Sequence, residues 1–213
     1  MATNLIDTIQ SQFTPELLQQ LSSVVGENSA TTQKALAGAI PTLLAGLTNL
    51  TSTSDGTTQL GNLLSQSNYG NILSNLPSLL GGGNATQDLI TSGRGILGTI
   101  FGGRLSAILD WLASAFGIKN TAASSLLSLV APVVLGVLRR EQTSQGLSTA
   151  GLASLLLGQK DSIARLAPTG LASVLGLGNL ANLGAGLASS ATRVATDTAR
   201  VRTEPVREGR SLW

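Results

Sequence analysis

The sequence predicts an all-α fold, and three observations carry that prediction. No stretch sustains the apolar–polar alternation of a half-buried strand. Valine and isoleucine are sparse beside leucine and alanine. Apolar residues recur at three- and four-residue spacing between glycine and proline punctuation.

The elements follow in order. Thr14-Pro15-Glu16 supplies an N-cap, a proline at the first helical position and an acid in the first turn. Leu17, Leu18, Leu21, Val24 and Val25 then repeat at helical spacing, and Gly26 fits a left-handed stop. A longer helix, capped near Ser29, carries Pro41 about three turns in. Shorter helices are expected over 57–65, 71–80 and 86–101. A second pair begins with Ile108, Leu109, Leu112 and Phe116, stopping at Gly117. Its long partner is capped near Asn120 and contains Pro132. Helices over 148–157 and 168–175 complete the series. Proline inside a helix frees the carbonyl four residues earlier, here Ala37 or Ser128, and costs about 3 kcal/mol. A kink is expected at both sites.

These two pairs are related. With an offset of 91 residues, Leu18, Leu21, Ser23, Gly26, Leu36, Pro41, Leu44 and Leu47 meet Leu109, Leu112, Ser114, Gly117, Leu127, Pro132, Leu135 and Leu138. Coincident leucines mean little in a leucine-rich chain, but aligned glycine and proline each have a positional meaning. The sequence therefore divides into a first repeat (1–82), a Gly-rich linker or helix (83–104), a second repeat in pseudo-twofold relation (105–177) and a Gly- and Arg-rich tail (178–213).

Composition excludes much chemistry. Of 213 residues, none is histidine or cysteine, which removes Ser–His–Asp triads, His-ligated zinc and thiolate nucleophiles. Charged residues make up 11%, against about 25% in an average domain, and 42% are hydrophobic. The net charge of +2 hides a polarity: one base against five acids up to Gly93, then twelve bases against six acids from Arg94 onward. No clustered bases with interleaved aromatics suggest nucleic acid. Residues 1–12 lack the basic and apolar regions of a signal peptide. The most apolar run, 126–138, precedes Arg139 and Arg140 but is about 13 residues long where a membrane span needs about 20. The tail is different: its Arg-rich stretch leads to Leu212-Trp213, the pattern with which a juxtamembrane segment begins.

Local motifs resolve into structure. Gly93-Arg-Gly95-Ile-Leu-Gly98 matches G-x-G-x-x-G, but no strand precedes it, and a flexible hinge between repeats is the better reading. Asp197-Thr198-Ala199 lacks the apolar hairpin of an aspartic protease, and Thr31-x-x-Lys34 has no supporting elements. The eleven acids form no pair or metal cluster in the sequence. Trp111 and Phe116 are expected in the core. Tyr69, Trp213, Arg139 and Arg140 are the candidates for partner contact.

The pattern Leu5-Ile-Asp, Phe13-Thr-Pro-Glu-Leu-Leu18, Leu21 and Val25-Gly26, then Lys34-Ala-Leu and Ala39-Ile-Pro41-Thr-Leu-Leu-Ala-Gly-Leu47, resembles the bacterial YidB-like family. Gly158-Gln, Ala167-Pro-Thr-Gly-Leu171 and Leu175-Gly176 are similar to its C-terminal part, so the resemblance covers roughly residues 3–180. It implies a small, helical, cytoplasmic bacterial protein without established activity or cofactor. Longer relatives join such a domain to a membrane helix and an OmpA-like domain, which would suit an anchor beyond Trp213.

The leading expectation is a non-enzymatic, self-associating structural domain with no metal or cofactor, at the inner face of the membrane. More leucine is present than one copy is expected to bury, which favours a homo-oligomer. Two alternatives stand beside it: a membrane-interface module with inserted hairpins, and a carrier of an apolar ligand.

Overall fold

The structure is a computed structural model and describes residues 4–66 and 69–176. Every regular element among them is helical: α1 (Leu5–Gln10), α2 (Pro15–Val25), α3 (Ser29–Leu50), α4 (Ser54–Gln66), α5 (Tyr69–Leu80), α6 (Asn84–Phe101), α7 (Leu105–Phe116), α8 (Asn120–Ser144), α9 (Thr149–Gly158), α10 (Lys160–Leu166) and α11 (Leu171–Val174), with a 3-10 turn at Gly102–Arg104.

Side-chain caps set several starts. The Thr14 hydroxyl accepts from the Leu17 N–H, Asn28 Oδ1 from Thr31 at 2.8 Å, and the Ser148 hydroxyl from Gly151. At α8 the cap position belongs to Lys119, without a side-chain bond, and the Asn120 amide instead donates to the Asp110 carboxylate on α7. Gly26 and Gly117 end α2 and α7 at φ of 77° and 65°, a region costly for other residues.

α3 and α8 form the centre. Every residue from Gly38 to Thr48, and from Leu126 to Leu138, is buried. A helix apolar all round has to be covered all round, and α2, α5, α6 and α7 do so for α8. This explains the low charge of the chain, since these turns meet no water. Thr42 and Thr48 pass their hydroxyl protons back to the carbonyls of Gly38 and Leu44, each at 2.7 Å, so they cost little in the core. One apolar cluster runs from Leu5 to Leu175, drawing on both halves of the chain.

The segment 83–104 is no flexible hinge. α6 occupies most of it, because Leu89, Ile90, Ile96, Leu97, Ile100 and Phe101 present a buried stripe at helical spacing. Gly93 is the point of closest approach: a Cβ there would sit 1.8 Å from the Ser128 carbonyl oxygen. That oxygen is the one Pro132 leaves without its helical donor, so the Gly93 Cα–H stands where an N–H would. Gly95 and Gly98 face open space. In the matching position, Pro41 frees the carbonyl of Ala37, which is exposed to water.

Among the described residues the only exposed large hydrophobic is Leu166, at 50%. The expectation that one copy leaves leucine stripes uncovered therefore fails, because α3 and α8 absorb them. Two helical stretches, Asn84–Phe116 and Asn120–Ser144, have the length and apolar character to cross a membrane. In the second, 83% of the most apolar window is already buried against protein.

Candidate functional site

Chemistry narrows the search to surfaces. No three acids, histidines or cysteines gather to hold a metal among the described residues. Their only titrating group with a shifted pKa is Glu16 at the start of α2, where its own backbone N–H and the Thr14 hydroxyl hold the carboxyl below the ordinary glutamate range. Glu16 is exposed and stays ionised at neutral pH.

The face built on α5 carries an exposed acid on one side and an exposed pair of bases on the other. α5 is seated on α8 where Gly136 lets the Tyr69 carbonyl come close; a Cβ at 136 would stand 2.9 Å from that oxygen and 3.2 Å from Leu73. α2 packs against both α5 and α8. Two open clefts result, and Leu73 and Ser74 line both.

The first, about 550 Å³, lies between α2 and α5 and includes Thr14, Glu16, Gln20, Leu76 and Pro77. Its one charged group is the exposed Glu16 carboxylate, set among the hydroxyls and amides of Ser11, Gln12, Thr14 and Ser74, while the Gln20 Oε1 is buried with no hydrogen-bond donor. The second, about 450 Å³, lies between α5 and the end of α8, with Arg139, Arg140, Thr143 and Ser144. Its charge is all donor. Thr143 and Ser144 direct their hydroxyl protons to the carbonyls of Arg139 and Glu141. Arg139 reaches only Gln142, at 3.3 Å, and Arg140 has no side-chain partner among the described residues. Glu141 is engaged by the Gln145 amide at 2.7 Å and lies outside the cleft lining. A third cleft, about 150 Å³, separates Phe13 and Leu18 from Leu36, and is too small for a drug-sized ligand, which occupies about 300 Å³ or more.

The residues marked from sequence are dispersed. Gly26 and Gly117 stop helices; Pro41 and Pro132 are buried in α3 and α8; Gly93 packs on α8, while Gly95 and Gly98 are exposed. Tyr69, expected at the surface, is 4% exposed, because its position at the start of α5 turns it onto the core. Trp111 is half-buried beside Gly170, and Phe116 half-buried against Gly38. Arg139 and Arg140 are exposed and line a cleft. Trp213 lies outside the described residues. Glu16, Gln20, Leu73 and Ser74 were not marked as a site; the N-terminal acid of α2 was visible, but nothing local linked it to α5.

No curated protein and no solved structure matches the chain. A family model does: residues 7–141 match the one described as "Bacterial protein of unknown function (DUF937)". The match runs from α1 to Glu141 in α8, so it includes both walls of the Glu16 cleft and the arginine pair. With well over half of its length inside that match, the chain belongs to this bacterial family of unknown function, the YidB family.

Proposed function

We propose that this protein is a non-enzymatic helical scaffolding domain that holds a second protein chain against the α5 face. The observation that carries the reading is the pair of clefts sharing Leu73 and Ser74, one carrying the exposed Glu16 carboxylate and the other two guanidinium groups with no acid partner among the described residues. Catalysis usually relies on titratable groups with tuned pKa values in one pocket, whereas rigid helices with a polar-rimmed groove serve recognition.

We further read α2–α3 and α7–α8 as two copies of one hairpin, supported by the paired Gly26 and Gly117 stops and the paired Pro41 and Pro132. Bent, wholly apolar central helices would then be an inherited unit that stiffens the face. The five arginines between 193 and 210 favour a place at the inner face of the membrane, where anionic lipid attracts basic segments.

The test is site-specific photo-crosslinking in bacteria. Ser74→p-benzoylphenylalanine should give a discrete protein adduct, and the same probe at exposed Ser154 on α9 should not. Equal or absent labelling at both positions overturns the reading.

A membrane-interface reading draws on one observation: only 33% of the apolar window in Asn84–Phe116 is buried, and Arg104 and Lys119 flank α7. Flotation of the protein with vesicles containing anionic lipid would support it, and recovery entirely in the soluble fraction would overturn it.

A further inference from the structure

We infer that the chain held on the α5 face is a second copy of this protein, bound in a closed twofold dimer; this rests on the scaffolding reading above and names its partner. The two clefts are complementary to each other. One offers the exposed Glu16 carboxylate. The other offers the guanidinium groups of Arg139 and Arg140, which have no acid partner among the described residues. They meet at Leu73 and Ser74, which line both.

Rotation by half a turn about an axis through Leu73 and Ser74 exchanges the two clefts. Each copy then presents its arginine pair to the other's Glu16, and the contact closes on itself. An arginine fork is the donor that suits this cleft, since it can engage both oxygens of a carboxylate together. The half-buried Leu73 of each copy lies on the axis and supplies apolar contact. Within one copy the opposed charges remain unsatisfied. Between copies each finds its counterpart twice.

Association of this kind depends on salt, because charges at an exposed face are screened over about 10 Å at 0.1 M and about 3 Å at 1 M ionic strength. Light scattering of the purified full chain over a range of concentrations should show a dimer at low salt that gives way to monomer at high salt. Glu16→Lys should be monomeric where the parent is dimeric, and so should the double variant Arg139→Glu with Arg140→Glu. All three positions are exposed, so circular dichroism should show unchanged helix content. Mixing the two variants in equal amounts restores both sets of opposite charges and should restore a dimer that grows no further with concentration.

A dimer indifferent to either variant overturns this interface. Open-ended growth of the mixture overturns the twofold arrangement. A parent chain that is monomeric throughout, with a Ser74 cross-link to a different protein, overturns the inference and leaves the scaffolding reading intact. A monomer with no Ser74 adduct overturns both.

Discussion

Substituting Gly93 with alanine tests how the centre of the molecule is assembled. The new Cβ would lie 1.8 Å from the Ser128 oxygen, 2.5 Å from its carbon and 2.8 Å from its Cα, all backbone atoms that no rotamer change can remove. Reaching an ordinary contact near 3.4 Å requires α6 and α8 to part by about 1.5 Å. Overpacking of this kind costs about 1–3 kcal/mol and occasionally more. A gap of 0.5–1 Å also forfeits a quarter to a half of each lost contact. Alanine returns about 1 kcal/mol in helix propensity. The net expectation is a loss of about 1–2 kcal/mol, which for a domain of this size lowers Tm by roughly 2–8 °C. Gly95→Ala is the control. It lies two residues away on the same helix, faces open space, and should instead stabilise by about 0.5–1 kcal/mol. Urea and thermal unfolding followed by far-ultraviolet circular dichroism read both. A Gly93→Ala protein as stable as the parent, or equal shifts in the two variants, would refute the close approach of α6 to α8.

Other perturbations probe different layers. Leu44→Ala, at a fully buried position in α3, should cost about 2–5 kcal/mol in denaturant unfolding, whereas Leu166→Ser at the surface should stay within about 0.5 kcal/mol of the parent. Gly38→Ala would put a Cβ 2.1 Å from the tip of the Phe116 ring, so Phe116→Leu should relieve part of its cost, with a coupling of about 0.5–3 kcal/mol in a double-mutant cycle. Strict additivity there would show that α3 and α7 do not meet as described. Thr14→Ala removes the α2 cap at a cost of about 1 kcal/mol and one of the two groups that stabilise the Glu16 carboxylate. The Glu16 pKa, followed by carboxyl NMR, should rise. Its folded value lies below its unfolded one, so its contribution to stability is full above the unfolded value and fades as pH falls through the folded value. Thr14→Ala should therefore flatten the pH dependence of stability in that acid range.

Local signals were enough for the helices. Thr14-Pro15-Glu16 and Gly26 bracket α2 because capping and the left-handed stop act within a few residues. The run 126–138 is too short for a membrane span by itself, but it is the middle of the 25-residue α8, which has the length and apolar character to cross one; its apolar turns are buried against neighbouring helices. Prediction failed where the outcome depends on partners distant in the chain. Gly93, Gly95 and Gly98 looked like a hinge because glycine weakens a helix. The buried stripe from Leu89 to Phe101 outweighs that weakness, and Gly93 then permits an approach that no larger residue would. Tyr69 misled in the same way, since its polar tip suggests a surface while its place above Gly136 sets its burial.

The α5 face shows why a site can stay hidden when each of its residues is legible. Glu16 was visible as the acid of a helix start and Arg139–Arg140 as the charged end of an apolar run, more than 120 residues away. Only the packing of α2, α5 and α8 against one another brings them to two clefts that share Leu73 and Ser74. The same packing sets an acid from the base-poor part of the sequence, up to Gly93, beside a basic pair from the base-rich part that follows, in two adjoining clefts. Surplus leucine had argued for self-association, but among the described residues only Leu166 is left exposed. The case for a second copy now stands on charge. The two mechanisms differ in their response to salt: apolar burial tightens or holds as salt rises, while opposed surface charges let go. A dimer that persists unchanged from low to high salt would therefore return the argument to apolar contact, and a dimer that dissociates would place it on Glu16 and the arginine pair.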